Sequence, residues 1–214
     1  MKVIKCTDKK SGCKKCDLKE KELDDVVGVL KSGELVIIPT DTLYGIAADP
    51  FNEASIKKVF IAKNRPFDMP LSIAVSNEKM MESVAVLNEN ARKLIRKFMP
   101  GPLTIMLTKK PSIPDMLTSG SNQVGIRIPD HPFALRLIDR FGPVTATSAN
   151  LHSHPDPVET SVALKDLKNH ALICVDCGKT KLQVPSTIVD VSDGAVEIIR
   201  KGAISQEQIE DALR

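Results

Sequence analysis

Short apolar runs alternate with stretches of helical periodicity along the whole 214-residue chain. That alternation confines the chain to the α/β class, because strands separated by helical patterns build sheets with helices packed on them. The clearest run is Leu35-Val36-Ile37-Ile38, apolar at every position and ended by Pro39. It reads as a strand buried on both faces. Before it, residues 19–31 place Leu23, Val26, Val27 and Leu30 on one helical face, with Gly33 as a stop. Further strands are expected at 3–6, 71–75, 103–108, 123–128, 144–147, 171–175, 187–191 and 196–200. Helices are expected at 53–64 behind an Asn52 cap, at 90–99, at 132–140 with Pro132 in the first turn, and at 158–167. Ser205 and Gln208 have the spacing of a capping box and open a last helix. The later strands follow one another with short connections, so the expected sheet is twisted and mixed, flanked by helices. The loop 109–122 is long but joins two strands, and no linker divides the chain. The expectation is a basic N-terminal strand and extension over 1–20 and one compact domain over 21–214.

Composition removes several function classes. Apolar residues make up 42% of the chain, close to the ~45–50% of globular proteins, which excludes a disordered chain. No apolar run approaches the ~20 residues that span a bilayer, and the lysine-rich N-terminus has no apolar stretch of a signal peptide. A cytoplasmic setting without membrane contact is therefore expected. Aromatic residues are only 3%, which argues against stacking on single-stranded nucleic acid. Charge is uneven. Residues 1–21 carry eight lysines against three acids, a net +5 within a whole-chain +3, so the remainder is net negative. Such a segment could meet RNA phosphates, or simply be a solvated edge.

Five cysteines include two C-x-x-C pairs, Cys13/Cys16 and Cys174/Cys177, with Cys6 apart. Two such pairs could hold zinc with four thiolates. The gap between them is far longer than in a zinc ribbon, and residues three apart on a strand face opposite ways, so Cys174 and Cys177 would need a turn between them to converge. Small buried thiols are the plain alternative, and a disulfide is disfavoured in a reducing compartment.

The chain has no phosphate loop of the G-x-x-x-x-G-K-[ST] type, no G-x-G-x-x-G and no G-x-S-x-G elbow, and its four histidines form no HExxH. Other clusters carry polar chemistry. Pro39-Thr40-Asp41-Thr42-Leu43-Tyr44-Gly45 follows the buried strand, where open α/β sheets bind ligands. Its hydroxyls and carboxylate could orient a small polar substrate, or only cap local backbone. Lys63-Asn64-Arg65-Pro66 puts two cations beside a proline that ends the helix. They suit a carboxylate or phosphate, or only the helix C-terminus. Thr147-Ser148-Ala149-Asn150 forms a small polar tip after a strand. In Val124-Gly125-Ile126-Arg127-Ile128, Gly125 and Arg127 share the face opposite the apolar residues. A solvated face would explain that as well.

Taken together, GELVIIPTDTLYGIAAD, KNRP, GPLT, VGIRIPDHP, TSAN, PSTIVD and IIRKGAIS resemble the YrdC-like family of threonylcarbamoyl-AMP synthases, over about residues 20–210. The family's K-x-R and S-x-N signatures stand here as Lys63/Arg65 and Ser148/Asn150. The resemblance implies the YrdC-like α/β fold in its single-domain form, without the extra C-terminal domain of longer members. It implies condensation of L-threonine, bicarbonate or CO2 and ATP into threonylcarbamoyl-AMP with loss of pyrophosphate. Mg2+ would accompany ATP, and a separate transferase complex would pass the group to tRNA. The carbamate itself attacks, so no protein nucleophile is needed, and positioning with charge neutralisation is the work.

By the same resemblance, Thr42 and Arg127 would hold threonine, with Ser186 lining that side. Lys63 and Arg65 would neutralise carbamate, carboxylate and phosphate oxygens as the catalytic pair. Ser148, Asn150, Arg65 and Arg200 would bind ATP. Met69 and Ala74 stand where many members have Asn and His ligand contacts, and Cys177 replaces a usual glycine. The competing reading is a noncatalytic relative that binds tRNA or double-stranded RNA, favoured by the basic segment 1–21. The intact cationic and polar pairs favour the enzyme.

Overall fold

The computed structural model describes residues 1–6 and 18–214. Among the described residues, ten strands form one mixed sheet. In chain order they are β1 (Lys2–Lys5), β2 (Leu35–Ile38), β3 (Gly45–Ala47), β4 (Ser72–Ala74), β5 (Leu103–Thr108), β6 (Gln123–Arg127), β7 (Val144–Ser148), β8 (Ala171–Asp176), β9 (Thr187–Asp190) and β10 (Glu197–Arg200). Their order across the sheet is β1-β8-β2-β3-β7-β4-β6-β5-β9-β10. Four neighbouring pairs are parallel (β1/β8, β2/β8, β4/β6, β5/β9) and the other five antiparallel. The expected α/β class and mixed sheet are therefore what the chain builds. The first residues are part of this sheet, since β1 pairs along β8.

The helices are α1 (Glu20–Lys31), α2 (Glu53–Lys63), α3 (Glu78–Val84), α4 (Glu89–Phe98), α5 (Asp115–Thr118), α6 (Pro132–Phe141), α7 (Thr160–Leu167) and α8 (Gln206–Leu213). Their ends follow local chemistry. Asn52 Oδ1 accepts the Ala54 and Ser55 N–H groups at 3.0 and 3.3 Å and opens α2. Asn64 closes α2 in the left-handed region (φ 47°), the conformation Asn tolerates best after Gly. Ser205 and Gln208 form the reciprocal box at α8.

Strand alternation sorts the core into two layers. In β2, Leu35 and Ile37 join one apolar cluster, which also holds Phe60 of α2, Leu94 of α4 and Ile209 of α8. Val36 and Ile38 join the other, with Val26 and Leu30 of α1 and Phe133 and Leu137 of α6. The first cluster also takes Ile73, Leu103, Ile105, Val124, Ile126 and Val189, so it runs under the far half of the sheet. The second is centred on β1, β8 and β2 and reaches the far half only through Ala74, Val144 and Ala146. Beyond α1 and α6 that face of the sheet is bare, and a cavity forms on it.

Three short elements escape the periodicity argument. β3 has only three residues, too few to show alternation, yet it returns at once to pair with β2. α3 buries only Met81 and Val84, and its start rests on Asn77 accepting from the Met80 N–H at 2.8 Å. α5 is a single turn of four residues.

His131, the residue before Pro132 in α6, is buried, and its Nδ1 has no hydrogen-bond partner among the described residues. Burial pushes its imidazole from the ordinary 6.5 down to about 4, against a smaller opposing pull from Asp130. The folded chain thus takes up this proton later than the unfolded one as pH falls. Stability should decline between about pH 6.5 and 4, by roughly 3 kcal/mol over the window. Denaturant titrations across that range should show the slope in the wild-type chain and its loss in His131→Gln; an unchanged slope in the variant would place the effect elsewhere.

Candidate active site

The cavity on the bare face encloses about 340 Å³. Its floor is the far half of the sheet. Ser72 and Ala74 of β4, Thr104 and Met106 of β5, Gly125 of β6 and Ile188 of β9 point into it. These are the positions that alternate with the buried apolar residues, as strand geometry requires. Gly125 is needed there for space. A Cβ would stand 2.7 Å from Ser72 Oγ and 3.1 Å from the Met106 sulfur.

Arg127 of β6 rises from this floor and is 8% exposed. Its Nε donates to the Gly101 carbonyl at 3.0 Å and its Nη1 to Thr42 Oγ1 at 2.6 Å, and Nη2 is ion-paired with Asp41 Oδ1. A guanidinium has five N–H groups. One on each terminal nitrogen therefore remains for a ligand, a fork that suits a carboxylate. Asp41 faces Arg127 rather than the cavity. Its Oδ1 also accepts from the Asp130 N–H at 3.1 Å, and its backbone carbonyl from the Leu182 N–H at 2.9 Å. The turn at 39–44 is thus tied to the end of β6, the approach to α6 and the 178–186 loop. Thr40 Oγ1 donates to the Leu43 carbonyl at 2.6 Å and closes that turn. Tyr44, fully buried, donates from its hydroxyl to the Gly178 carbonyl at 2.6 Å and receives the Cys177 N–H at 3.1 Å.

The second wall comes from the end of α2. The αL residue Asn64 turns the chain, and Arg65 reaches the cavity half-buried. Its Nε and Nη2 donate to the carbonyls of Met69 and Pro70 at 3.0 and 3.1 Å. The Met69 position therefore contributes its backbone, whatever its side chain. Ala74 is buried at the floor. The third wall is Ser186, 6% exposed, whose Oγ is hydrogen-bonded to Thr104 Oγ1 at 2.8 Å. Arg200 of β10 donates to the Ser186 carbonyl at 2.8 Å and to its Oγ at 3.1 Å.

The two sequence signatures divide. Arg65 and Ser148 line the cavity, whereas Lys63 and Asn150 lie behind its wall. Lys63 Nζ donates to the carbonyls of Ser148 and Asn150, the latter at 2.7 Å, and to Asn150 Oδ1 at 3.3 Å. Asn150 Nδ2 donates to the carbonyls of His154 and Pro155 at 2.8 and 3.2 Å. Ser148 Oγ donates to Asn150 Oδ1 at 2.6 Å.

Electrostatically the cavity is short of negative charge. Burial lowers the pKa of Arg65, Arg127 and Arg200 alike, and Arg200 lowers the other two further. Asp41 offsets part of this at Arg127. Of the cavity-lining residues only Asp156 is acidic. An anion entering here would relieve three crowded guanidiniums at once.

Of the second C-x-x-C pair, Cys174 and Cys177 do not converge. Cys174 is a buried free thiol in the first core layer, and burial pushes it up to about 12. Cys177 lies in the second layer, disulfide-bonded to Cys6 across the β1/β8 pairing, with Cα atoms 5.1 Å apart. Cys13 and Cys16 lie outside the described residues. Asp41, Gly101, Thr104 and Asp156 were given no individual role by the sequence. For Asp41 a signal existed: an arginine between Ile126 and Ile128 in a buried strand needs a buried carboxylate.

The Sua5/YciO/YrdC family model, described as "Telomere recombination", matches residues 28–202. A protein of Methanocaldococcus jannaschii is 40% identical over 197 residues, covering 90% of this chain and 93% of its own. The threonylcarbamoyl-AMP synthase of Bacillus subtilis is 36% identical over 90% of this chain and 56% of its own length. The crystal structure of Pyrococcus abyssi Sua5 complexed with L-threonine superposes with a TM-score of 0.92 at 31% identity; it covers 100% of this chain, which spans 61% of that one. Fold, cavity and sequence agree: the chain belongs to the Sua5/YciO/YrdC family.

Proposed function

We propose that this chain condenses L-threonine, bicarbonate or CO2 and ATP into threonylcarbamoyl-AMP with release of pyrophosphate. The observation that carries the reading is the convergence of Arg65, Arg127 and Arg200 on one cavity whose lining holds a single acid, Asp156. Such a site suits a carboxylate and a polyphosphate together. Threonine's carboxylate takes the two free N–H groups of Arg127, beside Thr42 and Ser186. Once the amine has added carbon dioxide, a carbamate oxygen attacks the α-phosphorus, the bond to the β-phosphate oxygen breaks, and pyrophosphate leaves. Arg65 and Arg200 meet the phosphate charge, and Ser148 stands on the nucleotide side. Fixed cations in a partly enclosed site stabilise developing charge without reorganising, which is the main catalytic lever available here.

Mg2+ would ride chiefly on the triphosphate, since Asp156 is the one carboxylate on the cavity wall. When bound it supplies charge neutralisation at the phosphates. The product would be consumed by a transferase complex acting on tRNA. A cytoplasmic setting fits this role, and no described helix is long and apolar enough to cross a membrane. The RNA-binding alternative rests on the basic stretch 1–21, of which residues 7–17 lie outside the described residues. Zinc on Cys13, Cys16, Cys174 and Cys177 gains no support from the described residues, where Cys174 and Cys177 lie in opposite core layers and Cys177 is disulfide-bonded to Cys6.

Pyrophosphate release from ATP and Mg2+ should require both L-threonine and bicarbonate, and Arg65→Ala should lower kcat/KM at least tenfold. Release independent of threonine would contradict the reading, and so would full activity in the variant.

A further inference from the structure

We propose that Lys63 is a positioning residue: its buried ammonium clasps the Ser148–Asn150 tip and sets the cavity wall, and it does not touch substrate. The inference deepens the proposed synthase site and concerns the same reaction. An ammonium has three protons to donate. Lys63 Nζ has three acceptors in reach, the carbonyls of Ser148 and Asn150 and the Asn150 side-chain oxygen. None of its donor capacity is left over for a phosphate or carbamate. The side chain is 2% exposed and does not line the cavity. Its backbone carbonyl adds a fourth link, accepting the His152 N–H at 2.9 Å.

The clasp organises more than one residue. Asn150 passes the constraint on through its amide to the His154 and Pro155 carbonyls, and through Oδ1 to Ser148 Oγ. Asp166 secures the same loop from the far side by accepting the Leu151 N–H at 3.0 Å. The loop then runs to Asp156, on the cavity wall. Ala149 is the one apolar side chain of Ser148–Asn150 packed in the core, and these polar bonds hold the residues around it. The spacing of two in K-x-R and in S-x-N follows. In each signature one residue faces the ligand and its neighbour but one faces the clasp.

Burial and the nearby Arg65 push the Lys63 ammonium down to about 7, while Asp166 and Asp156 pull the other way.

Hydrogen exchange of the ligand-free full chain tests the proposal. The amides of Ala149, Leu151 and His152 are each hydrogen-bonded, at 2.8, 3.0 and 2.9 Å. Lys63→Met should raise exchange across 148–155 at least tenfold with the rest of the sheet unaffected. Arg65→Ala should leave tip exchange at the wild-type rate, although both variants lose pyrophosphate release. Asn150→Ala, which cuts the clasp from the other side, should repeat the Lys63→Met pattern and serves if that variant does not fold. Tip exchange at the wild-type rate in Lys63→Met or Asn150→Ala would overturn the proposal and return Lys63 to direct substrate contact. The exchange readout involves no substrate, so its failure is distinguishable from failure of the synthase reading.

Discussion

The site depends on a buried ion pair. Arg127 stands at the end of β6, a strand whose apolar residues Val124 and Ile126 are fully buried, and Asp41 arrives from a turn 86 residues away to meet it. Burying either charge alone would cost several kcal/mol, so neither can stay in place without the other. That mutual requirement fixes the turn at 39–44 against the end of β6. The other bonds of the same two residues then bring in Gly101, the start of α6 and the 178–186 loop. The cavity is where these segments meet over the bare half of the sheet.

A second buried cation repeats the logic on the opposite wall, with a different partner. Arg127 is neutralised by a carboxylate, whereas Lys63 is met by backbone carbonyls and an amide. Between these two anchored cations lie Arg65 and Arg200, held in place only by neutral backbone and hydroxyl groups. Only Asp156, acting at Arg200, answers their charge from the cavity lining, and an anionic ligand is the natural complement. Rigid anchoring of the outer residues and deliberate under-neutralisation of the inner ones is what electrostatic preorganisation requires.

Much of this was legible in the sequence, for reasons that differ by element. β2 and α1 announce themselves because burial on two faces and on one helical stripe leave distinct periods. The Asn52 and Ser205 caps are readable because their chemistry is local. β3 and α5 are not, being shorter than the period that would reveal them. The site residues were found as motifs, but motifs do not say which way a side chain faces. Lys63 and Arg65 look equivalent as a cationic pair. Only the αL turn at Asn64 and the depth of the Ser148–Asn150 tip separate them, and both are tertiary facts. The strand pleat also told against Cys174 and Cys177 converging, and they do lie in opposite core layers.

The central claim is that three guanidiniums gather threonine and nucleotide in this one cavity, on the floor of β4, β5, β6 and β9. The most direct test is a crystal structure of the full chain with L-threonine and a non-hydrolysable ATP analogue. The account predicts the threonine carboxylate on the two free N–H groups of Arg127 and the phosphates against Arg65 and Arg200, with Lys63 still bonded to the Ser148 and Asn150 carbonyls. Ligand density outside this cavity, or phosphate oxygens coordinated by Lys63 with the tip displaced, would contradict it.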